Sequence, residues 1–139
     1  MIARATDLAM DVILRSWAGG DTQVVHGDLH EWNVHVVGSR LFAFDFEDVM
    51  LALPAQDVSI SLYSSRLKAS HHEIVKAFRR GYEEIAPWPV ADEAQLAGFH
   101  AARQIMLMNY AARTLPLKEA EEYIDRVMPW LETYVRTYG

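Results

Sequence analysis

Residues 26–33 read H-G-D-L-H-E-W-N, and twelve positions beyond Asn33 the chain reads D-F-E-D, from Asp45 to Asp48. Two histidines, two acids and an asparagine within eight residues leave three chemistries open: direct metal binding, phosphoryl transfer, or the tying down of a tight loop. Asp28 and Asn33 stand five apart, so in a loop between short strands both can face one cleft. Asn33 offers a neutral oxygen and Asp45 a charged one, the hard donors that magnesium prefers. A hairpin over Val34 to Phe44 would fold the chain back and deliver Asp45 beside Asn33. Asp28 is then left to accept the proton of an attacking hydroxyl. That is the division of labour phosphoryl transfer needs, in which metal charge neutralises phosphate while a carboxylate orients the nucleophile.

Outward from this stretch, Gln23-Val24-Val25 is a short β-prone run that leads into it. Asn33 to Val37 and Leu41 to Phe44 are two further β-prone runs, joined by Gly38-Ser39, a link that signals a type II′ hairpin turn. Upstream, Leu8, Ala9, Val12, Ile13 and Trp17 make a helical stripe over residues 3–18, which Gly19-Gly20 ends. Downstream, the pattern turns helical from Leu51, with helices expected over Asp57–Leu67, His71–Ile85, Asp92–Arg113 and Leu117–Tyr138, the last bent near Pro129. Pro87-Trp88-Pro89 separates the second of these from the third. The stripe Ile105, Met106, Leu107, Met108 and Tyr110 reads as core, and Glu119, Glu121 and Glu122 as an exposed helix face. The order of helix, small β element and four helices makes a mainly helical α+β fold, expected as a single domain over residues 1–139.

The motif H-G-D-L-H-E-W-N followed by F-D-F-E-D resembles the signature of aminoglycoside phosphotransferases, choline kinases and related small-molecule kinases, which share the protein-kinase-like fold. Their loop takes the place of the protein-kinase H-R-D-x-x-x-x-N. The resemblance implies that Asp28 is the catalytic aspartate and that Asn33 and Asp45 are metal ligands. It also implies that Asp57, in L-A-L-P-A-Q-D-V, braces the catalytic loop. Magnesium with ATP or GTP would be the cofactor and donor, and a hydroxyl-bearing small molecule the acceptor. The match in order and spacing covers residues 24–60, with a looser fit of the helical tail. Glu31-Trp32 departs from it, standing where relatives often carry small residues or proline. About 23 residues precede Val24, too few for the five-stranded nucleotide-holding lobe, and they contain no glycine-rich loop. The resemblance thus implies a C-terminal lobe in which a small β-hairpin element carries the catalytic loop, without the N-terminal nucleotide-binding lobe.

Other residues of the stretch take supporting parts. His26 and His30 are read as structural support of the site, as histidines beside such loops commonly bond backbone. Glu47 and Asp48 form an acidic edge that could meet metal or a cationic substrate. His71-His72 is expected to cap a helix at the surface.

Composition removes several alternatives. Formal net charge is −6 with no long basic run, which argues against a nucleic-acid surface. The absence of cysteine excludes disulfides, zinc thiolates and thiol catalysis. The N-terminal residues carry scattered charge and no long apolar run, so neither a signal peptide nor a membrane span is expected there, and a cytoplasmic setting is. Two rival functions remain in view. Gly-Asp-Leu-His could open a binuclear metallophosphatase, although no second Gly-Asp ligand set follows Asp57. Alternatively, a lobe without its counterpart would expose apolar surface and act as a non-catalytic remnant or interaction module, self-associating or docking with a separate N-lobe.

Overall fold

The computed structural model describes residues 1–139 as two compact units, one of residues 1–19 with 92–139 and the other of residues 20–91. The first is helical throughout, and the second holds every strand and all the dense polar chemistry.

The helical unit comprises α1 (Ile2–Gly19), α4 (Glu93–Thr114) and α5 (Leu117–Tyr138). Small residues let α1 approach α4 closely: Ala5 and Ala9 are buried, and a Cβ on Gly98 would collide with the side chain of Val12. A polar stitch crosses the same contact, where Gln95 Nε2 donates to Ser16 Oγ at 2.9 Å. Ala101, Met108, Val127, Leu131 and Tyr134 complete this core with the two alanines. The α4 helix is capped by Asp92, whose carboxylate accepts from Gln95 N at 2.8 Å. Pro129 lies inside α5, and the helix continues across it to Tyr138. Trp130 and Tyr134 stack there with ring planes 9° apart.

The second unit begins with β1 (Gln23–Val25), runs through the opening loop and a 3-10 turn at Glu31–Asn33, and enters the hairpin of β2 (Val34–Val37) and β3 (Arg40–Ala43). The expected turn is present, with Gly38 at φ 62° and Ser39 outside the left-handed region. Pairing of Val34 with Ala43 and of Val37 with Arg40 sets the register. A second 3-10 turn (Phe46–Asp48) leads to β4 (Met50–Ala52), which pairs antiparallel with β1, Val24 facing Leu51.

The β4 strand corrects the expectation that helical character starts at Leu51. Residues 50–52 satisfy their backbone groups against a strand 25 and more residues earlier, a choice that local propensity does not reveal. The next helix, α2 (Pro54–Leu62), starts three residues before the expected Asp57, because proline at the first helical position has no N–H to leave unsatisfied. Residues Tyr63–Leu67 continue as a 3-10 segment rather than α-helix, and α3 (His71–Glu83) follows. Ser70, not the histidines, occupies the cap position of α3, while His71 Nδ1 lies 2.8 Å from Ser65 Oγ. Ala52, Leu53, Ala55, Val58, Ile60 and Leu62 are buried, so α2 presents its apolar side to the interior beneath the loop.

Candidate functional site

The loop after β1 is built on its own backbone and on α2. The first turn of α2 carries Asp57, whose two carboxylate oxygens each take one amide of the motif. His26 N donates to Oδ2 at 2.8 Å and Gly27 N to Oδ1 at 2.9 Å. An acid in a first helical turn is also favoured by the helix dipole. Gly27 sits at φ 84°, and a Cβ there would fall on the carbonyl oxygen of Asp48, so glycine is required twice over. One turn further along, Ser61 Oγ donates to Leu29 O at 2.6 Å. Ser64 Oγ donates to Glu31 at 3.0 Å, and Lys68 Nζ lies 3.9 Å from the same carboxylate.

His26 ties the loop to the segment that carries Asp45. Its Nε2 lies 2.9 Å from Phe44 O and its Nδ1 receives Asp28 N at 3.4 Å. A carbonyl can only accept, so the neutral ring carries its proton on Nε2 and donates it to Phe44. The ring also rests against Phe46 at a centroid distance of 4.7 Å. His26 is buried.

Asp28 and Asn33 are held to each other through the backbone. Asp28 O accepts from His30 N at 2.8 Å and from Asn33 Nδ2 at 3.0 Å. Asn33 is buried, and its amide nitrogen is spent on that bond, which leaves Oδ1 as the oxygen available to a cation. The hairpin then returns the chain as the turn chemistry foresaw: Phe44 N donates to Asn33 O at 3.2 Å, and the next residue is Asp45. Asp45 has φ 65° and ψ 60°, the one non-glycine residue of the chain with positive φ, and its side chain makes no capping hydrogen bond. A left-handed aspartate costs energy that the surrounding structure must supply, a pattern concentrated at functional sites. Glu47 and Asp48 lie exposed on the 3-10 turn just beyond.

Asn33 and Asp45 fit a magnesium ion by donor chemistry, one neutral and one anionic oxygen from adjoining strand ends. Magnesium retains waters and phosphate oxygens, so a sparse protein donor set suits it. No group of three or more His, Cys, Asp or Glu side chains converges anywhere in the chain. The binuclear phosphatase alternative therefore lacks its ligands: His71 lies against Ser65, and His100 is buried in α4 near Trp130.

The sequence reading singled out His26, Asp28, His30, Asn33, Asp45 and Asp57, with Glu47 and Asp48 as further contacts; of the first six, five are joined by hydrogen bonds, and Asp45 adjoins them through Phe44, which bonds to His26 and Asn33. It passed over Gly27, Phe46, Ser61 and Ser64. The two serines sit at 61 and 64 on consecutive turns after Pro54, a spacing that marks one helix face, but nothing local shows that this face meets the loop. A cavity of about 270 Å³ beneath the loop is lined by Val25, His26, Leu29, Asp57, Ser61 and Tyr82 among others. A larger groove of about 680 Å³ lies in the helical unit and is lined by none of the six residues.

Residues 2–99 match the family model described as the phosphotransferase enzyme family, and the chain belongs to that family. In its fold it is similar to a thermostable mutant of aminoglycoside phosphotransferase APH(4)-Ia solved in the apo form, with a TM-score of 0.63 at 18% sequence identity. The similarity covers 98% of this chain and 44% of that one, so the chain spans less than half the length of the solved relative. No curated protein sequence matches it significantly. No helix is long and apolar enough to cross a membrane.

Proposed function

We propose that residues 20–91 carry the acceptor-activating and metal-binding half of a small-molecule kinase site. In the reaction, the bond from the γ-phosphorus of ATP or GTP to its bridging oxygen breaks. A bond to the acceptor hydroxyl oxygen forms, and the hydroxyl proton passes to Asp28. Asn33 Oδ1 and the Asp45 carboxylate would hold magnesium, which supplies positive charge against the phosphates. His26 and Asp57 keep the two segments in register, and Glu47 and Asp48 give the rim a negative charge suited to a cationic acceptor. The observation that carries this reading is the pair of bonds Asn33 Nδ2 to Asp28 O and Phe44 N to Asn33 O, which gather the three proposed functional residues from two segments.

Transfer would also require a nucleotide-holding surface from outside these 139 residues, in keeping with the 44% span of the solved relative. The exposed apolar residues of the β region support the same idea: Val36 and Leu41 on the hairpin are 68% and 72% exposed, and Phe46, Val24 and Leu51 are also exposed. A separate lobe or a second copy of the chain would cover them.

Calorimetric titration of magnesium–ATP into this chain, beside an Asp45→Asn variant, tests the half-site. Binding is expected to be weak in the wild type and lost in the variant. Equal binding by both proteins would remove Asp45 from the site and sink the reading.

A further inference from the structure

The stripe Ile105, Met106, Leu107, Met108 and Tyr110, expected as core, divides in the structure. Met108 is buried in the helical core, whereas Met106 and Tyr110 are 52% and 62% exposed. By their spacing, residues 102, 105, 106, 109, 110 and 113 share one face of α4, beside the core face of Ala101, Met108 and Ala111. That face and Thr6, Ala9 and Met10 of α1 line the groove of about 680 Å³. Small-molecule sites typically enclose roughly 300–1,000 Å³.

The groove changes character along its length. Gln95 meets Ser16 and Gly98 packs against Val12, so α1 and α4 run antiparallel. From Ala102 the α4 wall passes through Ile105 and Met106 to Asn109, Tyr110 and Arg113, about 16 Å by helical rise. The first half is apolar, and its methionine side chains adapt to the shape of a guest. The second half offers an amide, a phenol and a guanidinium, and none of these side chains makes a hydrogen bond, ion pair or ring contact within the chain. By contrast, the Thr6 hydroxyl is spent on Ile2 O and that of Thr114 on Tyr110 O. No acid lines the groove, although the chain carries a formal net charge of −6. A cation in the last turn of α4 also suits the helix dipole, but the dipole explains neither the uncovered Met106 nor the absence of acids.

We infer that this groove is a binding site for an amphipathic carboxylate, a medium-chain acyl acid. Its chain lies along Met10, Ile105 and Met106, and its carboxylate meets Arg113. A guanidinium matches a carboxylate with two parallel N–H donors. Asn109 Nδ2 and the Tyr110 hydroxyl are further donors for the same head. Apolar burial holds the chain, and the single cation sets its direction. The site belongs wholly to the helical unit and does not draw on the roles of Asp28, Asn33 and Asp45.

Decanoate, kept below its micelle-forming concentration, is the probe, titrated into the full chain labelled at its methionine, valine and leucine methyls. The methyls of Met10 and Met106, assigned with Met10→Leu and Met106→Leu, are expected to shift together and saturate, with Val36 and Leu41 of the hairpin unmoved. Arg113→Gln is expected to weaken binding about 10-fold, the loss of a hydrogen bond to a charged group. Decanol should bind the wild type as weakly as decanoate binds R113Q, and decyltrimethylammonium should not saturate the site. Met106→Glu places an acid on the apolar wall and should abolish decanoate binding. Arg113 and Met106 are exposed, so both variants are expected to keep the wild-type Tm. If R113Q lowers Tm, the comparison of decanoate with decanol in the wild type decides alone. Equal Kd for wild type and R113Q at unchanged Tm, equal Kd for decanoate and decanol, or shifts that spread to Val36 and Leu41 without saturating would each overturn the inference. A chain that dimerises in sedimentation, with Met106 shifts that follow dilution and no response to decanoate, would assign the groove to a second copy and overturn it as well.

Discussion

The helical unit and the loop-bearing unit are stabilised in different ways. In the first, Ala5, Leu131 and Ala101 are completely buried, and most of the holding comes from apolar packing among three long helices. In the second, the loop hangs on specific bonds: Asp57 on two amides, His26 on a carbonyl, and Ser61 on another carbonyl. Its hairpin meanwhile leaves Val36, Val37 and Leu41 in solvent. Packing is non-directional and tolerates small adjustments, whereas hydrogen bonds to a loop fix the direction of particular groups. The proposed role, in which carboxylates are aimed at a substrate, calls for the second kind of order, and this unit carries a left-handed Asp45 and exposed apolar surface along with it.

Substitutions can break that comparison. The largest effect is expected in the helical core, where Leu131→Ala should cost about 2–5 kcal/mol through lost burial and a residual cavity. Denaturant unfolding would measure it, and a cost below about 1 kcal/mol would mean that this core is less closely packed than its burial implies. In the loop-bearing unit, Asp57→Ala strands the amides of His26 and Gly27, and should cost about 2–3 kcal/mol. Its signature in hydrogen exchange is faster exchange at residues 26–30 with the amides of α4 and α5 little changed. Uniform loss of protection in both units would show that the bonded loop and the packed helices do not differ as described.

The smallest effect sharpens the comparison from the other side. Tyr134 is buried in the helical unit and its hydroxyl has no hydrogen-bond partner. Burial, and then the neighbouring Tyr138, raises its pKa above the ordinary 10.0. Burial together with Glu93 and Asp92 does the same for Tyr138. The folded state therefore holds these protons more tightly than the unfolded chain. Their contribution is fully present below pH 10.0 and is lost as pH rises through the raised folded values. Tyr134→Phe should change stability at neutral pH by less than about 1 kcal/mol and make the alkaline decline shallower. A Tyr134→Phe variant with an unchanged alkaline slope would show that this hydroxyl does not titrate with unfolding.

Much of the site was legible because its order is local. Gly38-Ser39 dictates a two-residue turn, the turn dictates the register of Val34 with Ala43, and that register delivers Asp45 to Asn33. Each step depends on residues within about a dozen positions, where backbone preference alone selects the conformation. The long helices were legible for the same reason, since their apolar spacing and terminators are written within a few turns.

What the tertiary structure alone decided are the contacts between distant segments. Residues Met50–Ala52 became a strand because β1 offered unpaired backbone groups, and α2 accordingly began at Pro54. Ser61 was chosen from several serines because α2 turns it toward Leu29 O. A segment's own preferences differ by tenths of a kcal/mol, while leaving a buried backbone group unbonded costs about 1–3 kcal/mol. By itself the sequence determined the hairpin and its register, and singled out the residues of the candidate site that the hairpin gathers. The fold decided which partners orient them, because only there do distant segments compete for the same hydrogen bonds.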